Sequence, residues 1–222
     1  MHILVIAATK FEIEPFIAGH KPVEISIPGV GVPSTLYQLQ KNIYIRRPDL
    51  IIQAGIAGSF TSDVPLSKVV LVKQDVFADI GIEEKGKFTP VVQTGLADKD
   101  VPPFTNGWLV NPSHIFSMFK LPAVKAITVN KVSDSVLQRQ QAINNFAPQI
   151  ESMEGAALHY VCLQENIPFI QIRSISNKVG ERDKSKWKME EAISNLNTEL
   201  LNLIDKITNE QEAKCNEQIS NE

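Results

Sequence analysis

Two glutamates, Glu12 and Glu154, are candidates for a catalytic or binding role. Glu12 lies in ATKFEIEPF, just beyond the apolar run MHILVIAA, and open α/β sheets bind ligands at the carboxyl ends of their strands. Glu14 points in a different direction, since residues two apart do not share a helix face. Glu154 opens the apolar segment EGAALHYVC. A carboxylate can deprotonate water or accept hydrogen bonds from hydroxyl groups, but either glutamate could equally be a solvated residue that stabilises a helix N-terminus.

A strand-like segment carries one charged residue and ends in two polar ones. PFIQIRSISNKVGERD holds Arg173 within an almost continuous apolar run and reaches Ser176 and Asn177 at its end. An arginine in a buried strand needs an anionic or hydrogen-bonding partner, because an unpaired buried charge is very costly. Glu12 or Glu154 could be that partner, in a structural or a catalytic ion pair. The two polar residues could bond a ligand or simply begin a turn.

Two glycine-containing segments are interpreted as turns that follow strands. They are PGVGVPST at Pro28–Thr35 and QAGIAGSF at Gln53–Phe60. Glycine lets backbone amides approach a ligand closely, so either turn could line a binding site or only pack tightly against a sheet. Neither has the dinucleotide-binding fingerprint with its acidic partner, and neither is a P-loop.

The elements that must position these residues alternate between strands and helices. This order predicts one α/β domain over residues 1–207, with a central mixed, mostly parallel, twisted sheet flanked by helices. Residues 208–222 are polar and predict a disordered tail. The predicted strands are His2–Ala8, Val23–Ile27, Leu50–Gln53, Lys68–Val72, Val124–Val129 and Phe169–Ser176. The predicted helices include Ser34–Arg46 capped by Ser34, Glu154–Glu165, and a closing helix from about Lys186 to Ile207, while Phe77–Pro122 is expected to be irregular.

Composition narrows the possible partners. The formal net charge is −3 and the lysines are scattered, which argues against binding to nucleic acid. No segment approaches the ~20 apolar residues that span a membrane, and the first eight residues are too short for the apolar part of a signal peptide. Cys162 and Cys215 lie far apart, so we expect a reducing, cytoplasmic location rather than a disulfide. No cluster of His, Cys and carboxylate residues at ligand spacing suggests a metal, and we expect no cofactor.

Together, these segments resemble the nucleoside phosphorylase and nucleosidase superfamily, especially its methylthioadenosine/S-adenosylhomocysteine nucleosidase and futalosine hydrolase branches. The segments that carry the resemblance, over about residues 1–207, are MHILVIAATKFEIEPF, the GVG at Gly29–Gly31, AGIAGSF, SMEGAA and IRSISN. Each is weak alone, but their joint occurrence in this order is specific. The resemblance implies a nucleoside phosphorylase-like fold, a small purine nucleoside as substrate and a homo-oligomeric assembly.

The resemblance also implies a set of site residues. Glu12 is expected to activate water, and Arg173 to help hold the water or the hydroxyl groups. The remaining residues would bind the substrate: Ala57 and Gly58 at the sugar and base, Met153 and Glu154 at the ribose, and Ser176 and Asn177 at the base. One departure is Ile56, which replaces the serine that stands beside the water in the adenosine-type nucleosidases.

Water is expected to be the nucleophile because AATKFEIEP lacks the Gly-Asp-Pro segment and nearby arginine of the related phosphorylases. Asn177 stands where adenine-specific members have an aspartate, and its amide suits a 6-oxopurine, whose N7 and O6 both accept hydrogen bonds. SISNKVGERD likewise resembles the futalosine hydrolase branch, which implies cleavage of futalosine to hypoxanthine and dehypoxanthinyl futalosine in a bacterial route to menaquinone. A methylthioadenosine/S-adenosylhomocysteine nucleosidase and a catalytically silent nucleoside-binding protein remain the alternatives.

Overall fold

A computed structural model describes residues 1–19, 21–112 and 119–220, and for residues 212 and 214–220 it describes the backbone alone. The strands are β1 (Ile3–Ile6), β2 (Glu24–Ser26), β3 (Leu50–Ser59), β4 (Val69–Asp75), β5 (Gly81–Glu84), β6 (Lys87–Pro90), β7 (Leu109–Val110), β8 (Ala123–Thr128), β9 (Ile150–Ser152) and β10 (Phe169–Lys178). The helices are α1 (Lys10–Ala18), α2 (Val32–Ile45), α3 (Val136–Phe146), α4 (Gly155–Glu165) and α5 (Met189–Ser220). The predicted α/β fold with a central mixed sheet is confirmed.

The main sheet closes on itself around β3 and β10. Its order is β10-β4-β8-β9-β3-β1-β2, and β10 also pairs with β3, so the first five of these strands form a ring from which β1 and β2 extend. β10 runs parallel to β3 along nearly its whole length and antiparallel to β4. These two long strands therefore fix the positions of most residues predicted for the site.

Helices cover both faces of the sheet, as the alternation along β1 dictates. Ile3 and Val5 pack in a core with residues of α1 and α5, whereas Leu4 and Ile6 pack in another with α2 and α4. Burying each such side chain contributes about 1.5–3 kcal/mol. A strand that is apolar at every position thus indicates that helices cover both faces of the sheet.

The interpretation of QAGIAGSF as a turn is wrong, since β3 continues without interruption from Leu50 to Ser59. Gly55 and Gly58 are strand residues, and each leaves space for a side chain of the neighbouring chain segment, Arg173 of β10 for Gly55 and Val179, directly after β10, for Gly58. A Cβ atom at Gly55 would overlap Nη1 of Arg173, and one at Gly58 would lie 3.0 Å from Val179. Glycine here marks a close approach within a sheet and not a change of chain direction.

Some helix boundaries also differ from those predicted. α2 begins at Val32 with Gly31 as its N-cap, not Ser34, because proline is tolerated in the first turn. α5 continues past Ile207 to Ser220, over a segment that holds no glycine or proline and is rich in residues that favour helix. The domain boundary at residue 207 stays a prediction.

Further elements were not predicted from the sequence, among them the short strands β7 and β9. The segment expected to be irregular contains the β5–β6 hairpin, and its residues 113–118 lie outside the described residues. α3 was also missed, because its only buried residue is Phe146 and its apolar pattern is correspondingly faint. Within the described residues, no helix is both long and apolar enough to cross a bilayer.

Candidate active site

A cavity of about 400 Å³ opens at the carboxyl ends of β1 and β3. All the predicted site residues except Arg173 line it: Glu12, Ala57, Gly58, Met153, Glu154, Ser176 and Asn177. Arg173 lies beneath it and is almost completely buried. The fold thus brings together segments that are far apart in the sequence.

Glu12 is held rigidly beside the cavity by backbone and hydroxyl donors. It is 7% exposed. Its Oε1 accepts a hydrogen bond from the backbone nitrogen of Ile56 at 3.0 Å, and its Oε2 accepts from both the backbone nitrogen and Oγ1 of Thr9, each at 3.0 Å. Thr9 is the N-cap of α1 and Glu12 its third residue, so the carboxylate completes a capping box. A carboxylate has about four acceptor sites, which leaves room for a water molecule.

Glu154 is the N-cap residue of α4, just after β9, and it lines the same cavity. It is 6% exposed, and its Oε1 accepts a hydrogen bond from the backbone nitrogen of Gly31 at 3.1 Å. Burial raises the pKa of Glu154, and the nearby Glu12 adds to this rise, whereas Arg173 and the Gly31 amide lower it. The PGVGVPST segment therefore contributes to the site through the backbone amide of Gly31, because glycine allows this close approach.

Arg173 is the cation of the site, and its partner is Glu154. Its Nη1 lies 3.7 Å from Oε2 of Glu154, and its Nη2 donates to Oε1 of Gln53 at 2.7 Å. A Cβ atom on Gly55 would overlap Nη1 of Arg173 and lie 3.0 Å from Oε1 of Glu12. The missing side chain of Gly55 thus lets the guanidinium lie close to both carboxylates. Nε of Arg173 has no hydrogen-bond partner within the described residues.

An irregularity in β10 brings two consecutive side chains to the cavity. Ile175 pairs with Ala57 and Asn177 with Gly58, so Ser176 is an extra residue in a β-bulge. In a regular strand, neighbouring side chains would point to opposite faces. Here both Ser176 and Asn177 line the cavity.

The bulge also orients the amide of Asn177. Ser176 Oγ lies 2.8 Å from Oδ1 of Asn177, and Nδ2 of Asn177 donates to the carbonyl oxygen of Lys178 at 2.9 Å. A carbonyl can only accept, so this contact requires Nδ2 on that side. Among the described residues, only the carbonyl of Lys178 accepts from Nδ2, so its second hydrogen can be donated to a ligand.

Sequence reasoning missed four residues of this arrangement. Thr9 and Gln53 bond directly to Glu12 and Arg173, Gly31 bonds to Glu154, and Gly55 opens the space between them. For Thr9, a signal was present, because Thr-x-x-Glu ahead of an apolar run is the pattern of a capping box. Ile56, which replaces a serine, contributes only its backbone amide to Glu12.

Two buried polar side chains, Asp75 and Thr128, hold the start of α4 in place. Asp75 is fully buried, and its Oδ1 accepts hydrogen bonds from Oγ1 of Thr128 and the backbone nitrogen of Val76. Burial raises the pKa of Asp75 to about 7, against the effect of these donors and of Arg173. Thr128 also accepts from the backbone nitrogen of Ala156, so this group anchors the first turn of α4 beside Glu154. Among the described side chains, no group of three or more His, Cys, Asp or Glu residues could hold a metal ion.

The sequence and the fold match those of known proteins. A family model described as the phosphorylase superfamily matches residues 6–208, and the chain belongs to that superfamily. The family resemblance inferred from the sequence is therefore confirmed.

Particular members narrow the comparison. The futalosine hydrolase of Thermus thermophilus is 28% identical over 152 residues, which cover 64% of this chain and 63% of that protein, less than two thirds of its length. A 5'-methylthioadenosine/S-adenosylhomocysteine nucleosidase of Buchnera aphidicola is 25% identical over 182 residues, covering 78% and 74%. The solved futalosine hydrolase of Helicobacter pylori superposes with a TM-score of 0.77 at 16% identity, covering 93% of this chain and 98% of that chain, and this likeness bears on the fold alone.

Proposed function

We propose that this protein hydrolyses the N-glycosidic bond of futalosine and releases hypoxanthine and dehypoxanthinyl futalosine, as a step in menaquinone biosynthesis. The observation that carries the proposal is the placement of two kinds of group along β3. Glu12 and Arg173 lie beside Gly55, and Asn177 lies beside Gly58, about 10 Å further along the strand. A nucleoside lying along β3 would meet the carboxylates with its sugar and the amide with its base.

The reaction requires the base to leave with the bonding electrons and water to attack the anomeric carbon. As the carbon–nitrogen bond breaks, negative charge develops on the purine and positive charge on the sugar. The free hydrogen of Nδ2 of Asn177 would stabilise the departing 6-oxopurine at N7 or O6. Ser176 supports this role because its contact with Oδ1 holds the amide in place.

Glu12 would orient the water and accept its proton, while Glu154 would bind the ribose hydroxyl groups beside Met153. Arg173 balances the charge of the two carboxylates, and its 3.7 Å contact with Glu154 is the basis for this role. The fixed positions of both carboxylates support catalysis by orientation, since a well-placed nucleophile lowers the entropic part of the barrier. Ala57 and Gly58 would line the sugar and base through their backbone.

Water is favoured over phosphate by the groups at the end of β1. Phosphate would need cations and backbone amides at this point. The amide of Ile56 and both donors of Thr9 are instead occupied by Glu12, whose negative charge would repel a dianion.

A second candidate is a methylthioadenosine/S-adenosylhomocysteine nucleosidase, which the identity to the Buchnera protein favours. Futalosine is preferred because Nδ2 of Asn177 faces a carbonyl and is therefore fixed as a donor. The 6-amino group of adenine would set donor against donor. A catalytically silent binding protein is disfavoured by the intact Glu12 and Glu154.

The deciding experiment incubates the purified protein separately with futalosine, inosine and methylthioadenosine and measures the released base by chromatography. Faster release from futalosine than from methylthioadenosine supports the proposal. Equal or faster cleavage of methylthioadenosine favours the second candidate, and no release from any of the three would favour the binding protein.

We further propose that the protein is a cytoplasmic homo-oligomer. Several large apolar side chains of α1, α2 and the loop before α2 are exposed: Phe11, Val30, Tyr37, Tyr44 and Ile45. Phe11 and Val30 also line the cavity, so a second subunit placed over them would help to close it. Sedimentation of the purified protein as a single subunit would contradict this assembly.

A further inference from the structure

Three residues form one row across the sheet at the base end of the cavity. Asn177 of β10 pairs with Gly58 of β3, and Gly58 pairs on its other side with Glu151 of β9. Directly paired residues of neighbouring strands project from the same face, and all three residues line the cavity. Gly58 has no side chain, so the row presents an amide and a carboxyl on either side of a gap. Two strand spacings separate the outer backbones by about 10 Å.

The carboxyl of Glu151 has no partner of its own. Within the described residues, it takes part in no side-chain hydrogen bond or ion pair, although the residue is only partly exposed. Burial raises the pKa of Glu151 to about 7, and the neighbouring Asp79 adds to the rise. The carboxyl lines the cavity and is only partly accessible to water, so a ligand that fills the cavity could donate a hydrogen bond to it.

We propose that Glu151 is a second determinant of base specificity, which accepts a hydrogen bond from the N1–H of a 6-oxopurine whose N7 or O6 is bound by Asn177. This inference rests on the proposed function, because it assumes a purine over Gly58. Asn177 and Glu151 would each form a hydrogen bond to the same base, from opposite sides of Gly58.

The pairing distinguishes the two common kinds of purine. A 6-oxopurine carries a hydrogen on N1, which a carboxylate can accept. Adenine has a lone pair on N1 and an amino group at position 6. Its N1 would face the Glu151 carboxylate as a second acceptor, and its amino group would face Nδ2 of Asn177 as a second donor. A site built to bond a particular donor rejects an analogue that lacks it strongly, because its own polar groups are then left unpaired.

The test measures equilibrium binding of hypoxanthine, 1-methylhypoxanthine and adenine to the wild type and to Glu151→Leu, Glu151→Gln and Glu83→Gln, at a pH well above the pKa of Glu151 of about 7, so that Glu151 is a carboxylate. Leucine removes the acceptor, whereas glutamine keeps a neutral one and guards against a failure to fold. Glu83, an exposed glutamate of β5, is the matched control. Futalosine cleavage by the wild type is measured in parallel.

Glu151→Leu should bind hypoxanthine about 10- to 100-fold more weakly, the range expected for a hydrogen bond to a charged group. It should bind adenine no more weakly than the wild type does, and it should no longer prefer hypoxanthine to its N1-methyl analogue. Glu151→Gln should show a smaller loss, and Glu83→Gln none. Unchanged hypoxanthine binding in Glu151→Leu, or an equal loss for adenine, would overturn the inference. Wild type that does not cleave futalosine would instead contradict the proposed function.

Discussion

Glu12→Gln tests the proposed general base, and the structure predicts two separate effects of this substitution, one on stability and one on turnover. Glutamine keeps the shape of glutamate but has one acceptor oxygen where Glu12 uses two. Oε1 and Oε2 each accept a backbone N–H, from Ile56 and Thr9 respectively. The amide nitrogen of glutamine must therefore face one of these donors.

The first effect is on stability and the second on turnover. One unpaired buried N–H costs about 1–3 kcal/mol, so the free energy of unfolding should fall by about this amount. Removing a general base lowers turnover by at least about 100-fold, or about 2.7 kcal/mol in the barrier. Substrate binding should change less than kcat, because the proton is transferred only in the reaction.

The assay measures base release from futalosine at several substrate concentrations, together with urea denaturation of each variant. Glu14→Gln is the matched control on the same helix, since Glu14 is exposed and forms only a surface pair with Lys10. Its stability should stay within about 0.5 kcal/mol and its turnover should be unchanged. A folded Glu12→Gln protein with near-normal kcat would remove Glu12 from the mechanism.

Three further predictions follow from the base site, the nucleophile and the buried acid. Asn177→Asp should lower futalosine cleavage at least about tenfold and raise relative activity on methylthioadenosine, because the carboxylate loses the donor that faces the base. Cleavage by the wild type should proceed in phosphate-free buffer and yield a free sugar, with no sugar 1-phosphate. Burial raises the pKa of Asp75 from 3.8 to about 7, so between these pH values the folded protein retains a proton that the unfolded chain has released. Asp75 should therefore contribute a fall of up to about 4 kcal/mol to the stability of the wild type as the pH rises through this range. Asp75→Asn should remove this contribution and leave those of Glu151 and Glu154, since Oε1 of Gln171 has no partner within the described residues and could accept from the new amide after a rotation.

Each of these predictions has a contrary outcome. An unchanged ratio of the two substrates in Asn177→Asp would refute the argument from the amide. A strict requirement for phosphate would make the protein a phosphorylase. For Asp75→Asn, the difference in unfolding free energy from the wild type is followed from pH 4 to pH 8. A difference that does not grow with pH would show that Asp75 does not bear the buried charge.

The parts of the fold that sequence reasoning predicted are those set by local patterns. β1 is apolar at every position, β10 begins with the apolar residues Phe169 and Ile170, and α4 spans Gly155–Glu165, within one residue of the predicted helix. The AGIAGSF segment was misread because its glycines are typical of turns. They are explained by non-local contacts, the approach of Arg173 to Gly55 and of Val179 to Gly58.

The site was predictable where its residues lie in the segments that carry the family resemblance, and not where strands meet. Glu12 and Asn177 were predicted from the joint resemblance of several segments, since each segment alone also allowed a structural role. Glu151 could not be predicted, because its place opposite Gly58 depends on pairing between β3 and the three-residue strand β9. Such non-local contacts leave no trace in the periodicity of either segment.

The bulge at Ser176 divides β10 into two portions with different freedom to vary. Arg173 is paired to β3 on one side and β4 on the other, whereas Asn177 is paired to β3 alone. Under the proposed function, substitutions beyond the bulge would alter which base is accepted without moving the guanidinium or the carboxylates. The protein could then acquire new substrates by exchange of a few side chains at one end of one strand, while the groups proposed to break the bond are retained. Selection for substrate choice and selection for reactivity would then act on separate residues.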